Sequence, residues 1–165
     1  MVDASVQRVV SIVEGLTDSQ SVALLKQVNQ MIFKALPVQE IGLKVHRSDE
    51  SAGYLLSLDA DAKRRELSSP EAIVVAKGLL KTLAGDKNLA SVVEAAWKEI
   101  SAVNTLSVVD VIIPLGLLVN LALLMATTEL KFKIGNLEIK KGKASAALLK
   151  ELLQPVIELI RKTPH

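Results

Sequence analysis

The sequence predicts a mainly α-helical protein, a multi-helix bundle with one small antiparallel β-hairpin just before a C-terminal helix. Apolar residues recur at helical spacing along most of the chain. Residues typical of helix ends separate these segments, and a Gly-Asn pair inside one alternating segment is typical of a two-residue hairpin turn. A chain of 165 residues is large enough to bury a core, so we expect a single helical domain over residues 1–165.

The first two helices are indicated by a valine stripe and a capping box. Valines at helical spacing form one apolar face near the N-terminus: Val2, Val6, Val9 and Val13. Thr17 and Gln20 can each satisfy a free backbone N–H at the start of the next helix, which Pro37 ends. Residues 38–67 are harder to interpret, and the segment before His46 fits either a strand or a short helix.

Two clearer helices follow in the middle of the chain. Ser69 is a typical N-cap, Pro70 suits the first helical position, and Gly85 is a typical C-terminal stop. We expect Asn88 to cap the following helix. That helix has the cleanest amphipathic pattern in the chain, with an apolar face formed by Leu89, Val92, Val93, Ala96, Trp97, Ile100 and Val103.

The longest apolar run contains no charged residue from position 111 to position 128. Ser107 and Asp110 resemble a capping box that would open an apolar helix over residues 107–128. A helix that is apolar on all sides lies either in a protein core or in a membrane, and this run would be ~27 Å long against a bilayer core of ~30 Å. Asn120 in its middle and Asp110 at its edge oppose insertion, so we favour a buried core helix over a membrane segment.

A lysine-rich segment with alternating apolar residues follows this run. The alternation on both sides of the Gly-Asn pair predicts a hairpin over residues 129–141. In the register that a two-residue turn imposes, Phe132 lies opposite Ile139, and Lys133 lies opposite Glu138. The apolar face of such a hairpin needs a partner, because isolated hairpins are marginal in water.

The last element is a C-terminal helix over residues 145–162. Ser145 is its expected N-cap, and one face is apolar: Leu149, Leu152, Val156 and Leu159 or Ile160. Pro155 lies inside this helix and has no backbone N–H, so we expect the helix to kink or restart there.

The composition argues against most kinds of chemistry. The absence of cysteine excludes disulfides, thiolate zinc sites and cysteine nucleophiles. A formal charge of +2 and only four aromatic residues make nucleic acid an unexpected partner. Gly-rich phosphate-binding motifs are missing, His165 is terminal, and His46 has no partners at the spacing of a metal or general-base site. We therefore expect no metal, no cofactor and no enzymatic activity.

The excess of aliphatic helix faces favours a non-enzymatic interaction or assembly module, which self-associates or binds a partner protein. Its candidate anchors are Leu89, Val93, Trp97 and Ile100. Five lysines on and after the hairpin could contact an acidic protein or an anionic membrane surface: Lys131, Lys133, Lys140, Lys141 and Lys143. The N-terminal residues lack the features of an export signal, so we expect a cytoplasmic protein.

The alternative function is a small membrane-acting effector. Such a protein would oligomerise and insert residues 108–128, with Asp110 and Asn120 lining a polar, pore-like interior. A membrane-associated location would accompany this activity.

Overall fold

Helices account for most of the chain, and one hairpin precedes the last helix. The structure is a computed structural model, and it describes residues 4–45, 50–103, 111–127, 129–142 and 145–162. Over these residues the predicted fold class is confirmed. The helices are α1 (Ala4–Glu14), α2 (Asp18–Ala35), α3 (Val38–Lys44), α4 (Glu50–Leu56), α5 (Ala60–Lys63), α6 (Pro70–Gly85), α7 (Ala90–Val103), α8 (Leu115–Met125) and α9 (Ala146–Lys162). The strands are β1 (Glu66–Leu67), β2 (Ile113–Pro114), β3 (Leu130–Ile134) and β4 (Leu137–Lys141).

Side-chain caps begin three helices where the sequence predicts them. The Thr17 hydroxyl accepts a hydrogen bond from Gln20 N at 3.2 Å, and Thr17 N donates to Gln20 Oε1 at 2.9 Å, which completes the capping box of α2. Ser69 and Ser145 accept backbone hydrogen bonds in a similar way before α6 and α9, with N···O distances of 3.2 Å and 3.1 Å. The starts of these helices are therefore determined locally.

The predicted Asn88 cap of α7 is wrong, and Asp86 takes that role instead. Its Oδ1 accepts hydrogen bonds from Asn88 N at 2.8 Å and from Leu89 N at 3.1 Å. The chain forms a turn directly after α6, so the carboxylate of the earlier residue reaches the free N–H groups. A negative charge is favourable there because it lies at the positive end of the helix dipole.

The segment after Pro37, for which a strand and a short helix were both considered, is the helix α3. Ile41 is buried in it, whereas Leu43 is 75% exposed. The apolar alternation in this segment therefore does not form one face of a strand. His46 follows this helix and lies outside the described residues.

The predicted apolar helix over residues 107–128 is wrong in its extent. α8 covers only Leu115–Met125, and Pro114 is its N-cap. The two residues before α8 form β2, because a proline disfavours helical backbone at the residue that precedes it. The predicted cap residues Ser107 and Asp110 lie outside the described residues.

α8 is the buried core helix that the sequence analysis favoured. Every residue in it except Asn120 is buried. It contacts α2, α3, α4, α5, α6 and α9, so other helices of the same chain cover its apolar surface. Within the described ranges, no helix has both the length and the apolar character needed to cross a membrane.

A short segment before α6 holds the first turn of α8. Leu115 N donates a hydrogen bond to Arg65 O at 2.8 Å, and β1 pairs with β2 antiparallel. The two backbones are so close that a Cβ at Gly116 would lie 3.0 Å from Lys63 O and 3.2 Å from Lys63 Cβ. Glycine is therefore the residue that fits at this contact.

The predicted hairpin is confirmed in its register. Phe132 lies opposite Ile139, and Lys133 lies opposite Glu138. Gly135 has a φ of 58°, the left-handed backbone that a two-residue hairpin turn uses. Phe132 and Ile139 are buried, and β3 contacts α2, so the hairpin packs its apolar face on the helices.

Lys141 was predicted to be one of five lysines that contact an acidic surface, but its side chain is buried. It lies opposite Leu130 on the apolar face of the hairpin and is only 2% exposed. Its Nζ donates to Thr127 O at 3.1 Å and to Gly142 O at 3.0 Å, which places a cation just beyond the C-terminus of α8. Burial lowers the pKa of the Lys141 ammonium from 10.5 to about 8, and the Asp86 carboxylate partly opposes this shift.

Gly116→Ala is expected to lower the free energy of unfolding by about 1–2 kcal/mol, because the new methyl group would overlap the Lys63 carbonyl. This is the net loss, after the ~1 kcal/mol that alanine gains over glycine in helix propensity has been subtracted from the cost of the overlap. Urea unfolding followed by circular dichroism measures the change. Gly78→Ala is the matched control, since a Cβ there meets nothing within 4 Å, and it should be stabilising. A Gly116→Ala protein as stable as the control would contradict the close contact.

The free energy of unfolding is expected to rise with pH because of Lys141. The folded protein holds this proton less tightly than the unfolded chain, so unfolding takes up protons between about pH 8 and pH 10.5. Stability therefore increases by about 1–2 kcal/mol between about pH 7.5 and pH 9.5 and is flat below that range. Denaturant unfolding at each pH measures this, and Lys141→Met should remove the rise. A rise of equal size in both proteins would exclude Lys141 as its source.

Candidate interaction surface

A groove with a largely apolar lining lies between α6 and α9. Its central section has a volume of about 290 Å³. From α6 it is lined by Val74, Val75, Gly78, Leu79 and Thr82. From α9 it is lined by Leu148, Glu151, Leu152, Pro155 and Val156. Two further sections share residues with this one or with each other, so the groove continues towards the C-terminal end of α9.

The groove is apolar because α6 has more apolar surface than the core covers and α9 supplies apolar residues beside it. In α6, Ala76 and Leu80 are buried, yet Val74 on a neighbouring face is 69% exposed. In α9, Leu152 and Val156 are buried and form the floor between the helices. An exposed valine forgoes on the order of 1 kcal/mol of stabilisation relative to a buried one. A partner that covered this strip would recover that free energy.

Gly78 keeps the middle of the groove open. It lies at an exposed position inside α6, where glycine costs about 1 kcal/mol of helix stability relative to alanine. A Cβ at this position would meet nothing within 4 Å, so no described neighbour requires a glycine. The missing side chain leaves free space between Val74 and Thr82, which lie one helical turn away on either side.

The rim of the groove is acidic. Four exposed glutamates border its three sections: Glu66, Glu71, Glu151 and Glu158. Among the described lining residues, Lys162 is the one cation. Two lysines of α6 are directed elsewhere, since Lys77 pairs with Asp18, and Lys81 Nζ lies 3.3 Å from Glu14 Oε1. The groove therefore combines an apolar floor with a negative edge.

Pro155 adds a backbone acceptor to the groove wall. Proline has no N–H, so it cannot donate to the carbonyl of Glu151, which is its acceptor in a regular helix. α9 nevertheless runs through Pro155 as one helix, so the chain does not restart there. Glu151 and Pro155 both line the central section of the groove.

The predicted anchor stripe on α7 is mostly internal. Leu89 and Val93 are each 1% exposed and belong to the core of the chain. Trp97 and Ile100 are half-buried and pack against that core. The four residues thus stabilise the bundle, and they do not form an open surface in this structure.

The remaining predicted site residues lie in two other places. Lys131, Lys133 and Lys140 are exposed on the outer face of the hairpin, where Lys131 lies directly opposite Lys140. Asn120 lies in α8, and its buried Oδ1 has no hydrogen-bond partner. Asp110, the other candidate polar residue of the apolar run, is outside the described residues. The structure therefore does not bring the lysines and the apolar run into one site.

Metal-ligating side chains are not clustered in the part of the chain that the structure describes. Within it, no group of three or more histidine, aspartate or glutamate residues could hold a metal ion. Both histidines, His46 and His165, lie outside that part.

The groove between α6 and α9 is not among the features that the sequence predicted. One signal was available in α6, where Ile73, Val74 and Val75 supply more adjacent apolar residues than a single buried stripe uses. The identity of the opposite wall had no local signal, because α9 lies far away in sequence and reaches α6 only through tertiary packing.

Comparisons with known protein families, with curated proteins and with solved structures give no match to this chain.

Proposed function

We propose that this protein is a non-enzymatic protein-binding module that accepts the apolar face of a partner's helix in the groove between α6 and α9. The observation that carries this proposal is the open, aliphatic central section of the groove beside the largely exposed Val74. In helix-in-groove recognition, the side chains that enter such a groove are spaced by three or four residues on the partner's helix, here called the guest helix. The free space at Gly78 suits one of these side chains.

The dimensions of the groove suit a short helix. Along α6 it extends from Glu71 to Thr82, which corresponds to about 16 Å of helix and about three turns of a guest. Each guest side chain buried in it contributes on the order of 1–3 kcal/mol. After the costs of association and ordering, a Kd on the order of 10 µM is reasonable for such a contact.

Pairing of two copies through this groove is disfavoured by charge. Two grooves placed face to face would oppose the rim glutamates of one copy, among them Glu71 and Glu151, to those of the other. A separate partner protein therefore fits the groove better than a second copy does.

Groove binding is expected for a synthetic 14-residue amphipathic peptide with leucine on one face and glutamine on the other. Titrated into ¹⁵N-labelled protein, it should shift the amide resonances of Val74, Gly78 and Leu152 in a saturable manner. Gly78→Met places a helix-compatible side chain into the groove and should weaken binding by about tenfold or more.

Gly85→Met is the matched control for this experiment. Gly85 also lies on α6, a Cβ there meets nothing within 4 Å, and it does not line the groove. This variant should bind the peptide as the unsubstituted protein does. Equal weakening in both variants, or resonance shifts confined to other surfaces, would refute the proposal.

A second candidate function is docking of the hairpin on an anionic membrane surface. Lys131 and Lys140 are exposed and directly opposite each other, and like charges in this arrangement destabilise a hairpin. Lys133 lies on the same outer face, and the exposed Glu138 only partly offsets the three positive charges. An anionic surface would relieve the repulsion, with about 1 kcal/mol of attraction for each lysine close to it.

The double substitution Lys131→Glu and Lys140→Glu is expected to abolish sedimentation of the protein with vesicles of phosphatidylserine and phosphatidylcholine at low salt. The reason is the loss of two attractive charges and the gain of two repulsive ones. Lys87→Glu combined with Lys150→Glu, at two exposed positions outside the hairpin, changes the net charge by the same amount and is the control. If the unsubstituted protein stays in the supernatant, this candidate function is excluded.

A further inference from the structure

We infer that the partner helix is basic, and that one of its lysine or arginine side chains docks at Glu151, which supplies the charged side chain of the central section and whose carbonyl cannot accept from Pro155. This inference rests on the proposed function and names the chemistry of the guest.

The negative charge of the groove rim favours a basic guest helix. The glutamates at the edge, including Glu71 and Glu158, are exposed and have no cation beside them in the lining of the groove except Lys162. Lys162 lies at the C-terminal end of α9, away from the central section that holds Glu151. A guest with acidic flanks would meet repulsion along the central section, whereas a basic guest would meet attraction.

The backbone carbonyl of Glu151 also favours a guest with many N–H donors, independently of the number of glutamates on the rim. The carbonyl of Glu151 lacks the N–H that an ordinary residue at 155 would donate to it. Lysine and arginine side chains carry three and five N–H donors and no acceptor, so a cation that pairs with the carboxylate keeps further donors that a carbonyl can accept. A neutral donor can use the carbonyl, but it gains less from the carboxylate because charge-assisted hydrogen bonds are stronger.

Three peptides of one design separate these contributions. Each has 14 residues with the same leucine face, and the polar face is lysine, glutamine or glutamate. By isothermal titration calorimetry at low salt, the lysine peptide is expected to bind about tenfold more tightly than the glutamate peptide, with the glutamine peptide between them. At about 0.5 M NaCl the difference should shrink, because salt screens exposed charges.

Two substitutions locate the docking point. Glu151→Gln should weaken the lysine peptide about threefold and leave the glutamine peptide unchanged. Glu138→Gln, an exposed glutamate on the hairpin, is the matched control and should change neither affinity. Pro155→Ala restores an N–H for the Glu151 carbonyl and should lower the ratio of the lysine-peptide affinity to the glutamine-peptide affinity. This ratio cancels any general change in groove shape.

The outcomes distinguish this inference from the proposed function. Equal affinity for all three peptides overturns the basic guest but leaves the groove a binding site for helices. Binding of none of them overturns the proposed function itself. A Glu151→Gln protein that keeps its preference for the lysine peptide overturns Glu151 as the docking point, and a Pro155→Ala protein with an unchanged ratio removes the carbonyl from it. Glu151 is exposed, so its substitution tests the inference even if Pro155→Ala does not fold.

Discussion

Burial of α8 is the constraint on which the rest of the structure depends. Ten of its eleven residues are buried, so it has no face that water solvates. A helix of this kind needs cover on all sides, and α2, α3, α4, α5, α6 and α9 supply it. The amphipathic character of those helices follows from this arrangement, because each contributes one apolar face and leaves a polar one in water. The short helices α3, α4 and α5 of the 38–67 region also cover part of α8.

Both ends of α8 are held by parts of the chain that are distant in sequence. At its start, the Arg65 carbonyl accepts from Leu115, and the Lys63 backbone lies against Gly116. Beyond its end, the Lys141 ammonium donates to the Thr127 carbonyl. A buried charge is costly, and it is tolerated here because backbone acceptors and the helix dipole partly compensate for the lost hydration. The central helix thereby connects the hairpin, the β1–β2 pair and the bundle into one core.

The groove between α6 and α9 is a consequence of the same packing. Both helices contact α8, and Val74 and the space beside Gly78 stay open at the surface between them. A structure that only needed stability would place alanine at position 78 and proline outside α9, because each change adds to helix stability. Gly78 and Pro155 instead both line the apolar groove between these helices. The two residues that lower the stability of their own helices therefore lie at the proposed binding site.

Local signals in the sequence determined the fold class, the capping box at Thr17, the cap at Ser69, and the register of the hairpin down to the Phe132–Ile139 pair. These features depend on residues within a few positions of one another, so they are independent of the rest of the chain. Pro114 is a local signal against a helix before Leu115, but only the tertiary structure showed that the residues before α8 pair with β1 as a strand. The tertiary structure also decided that the α7 stripe is core, that Lys141 faces inward, and that α6 and α9 enclose a groove. Each of these depends on which distant segments meet, and burial of apolar surface is non-directional, so no short stretch of sequence specifies its own partner.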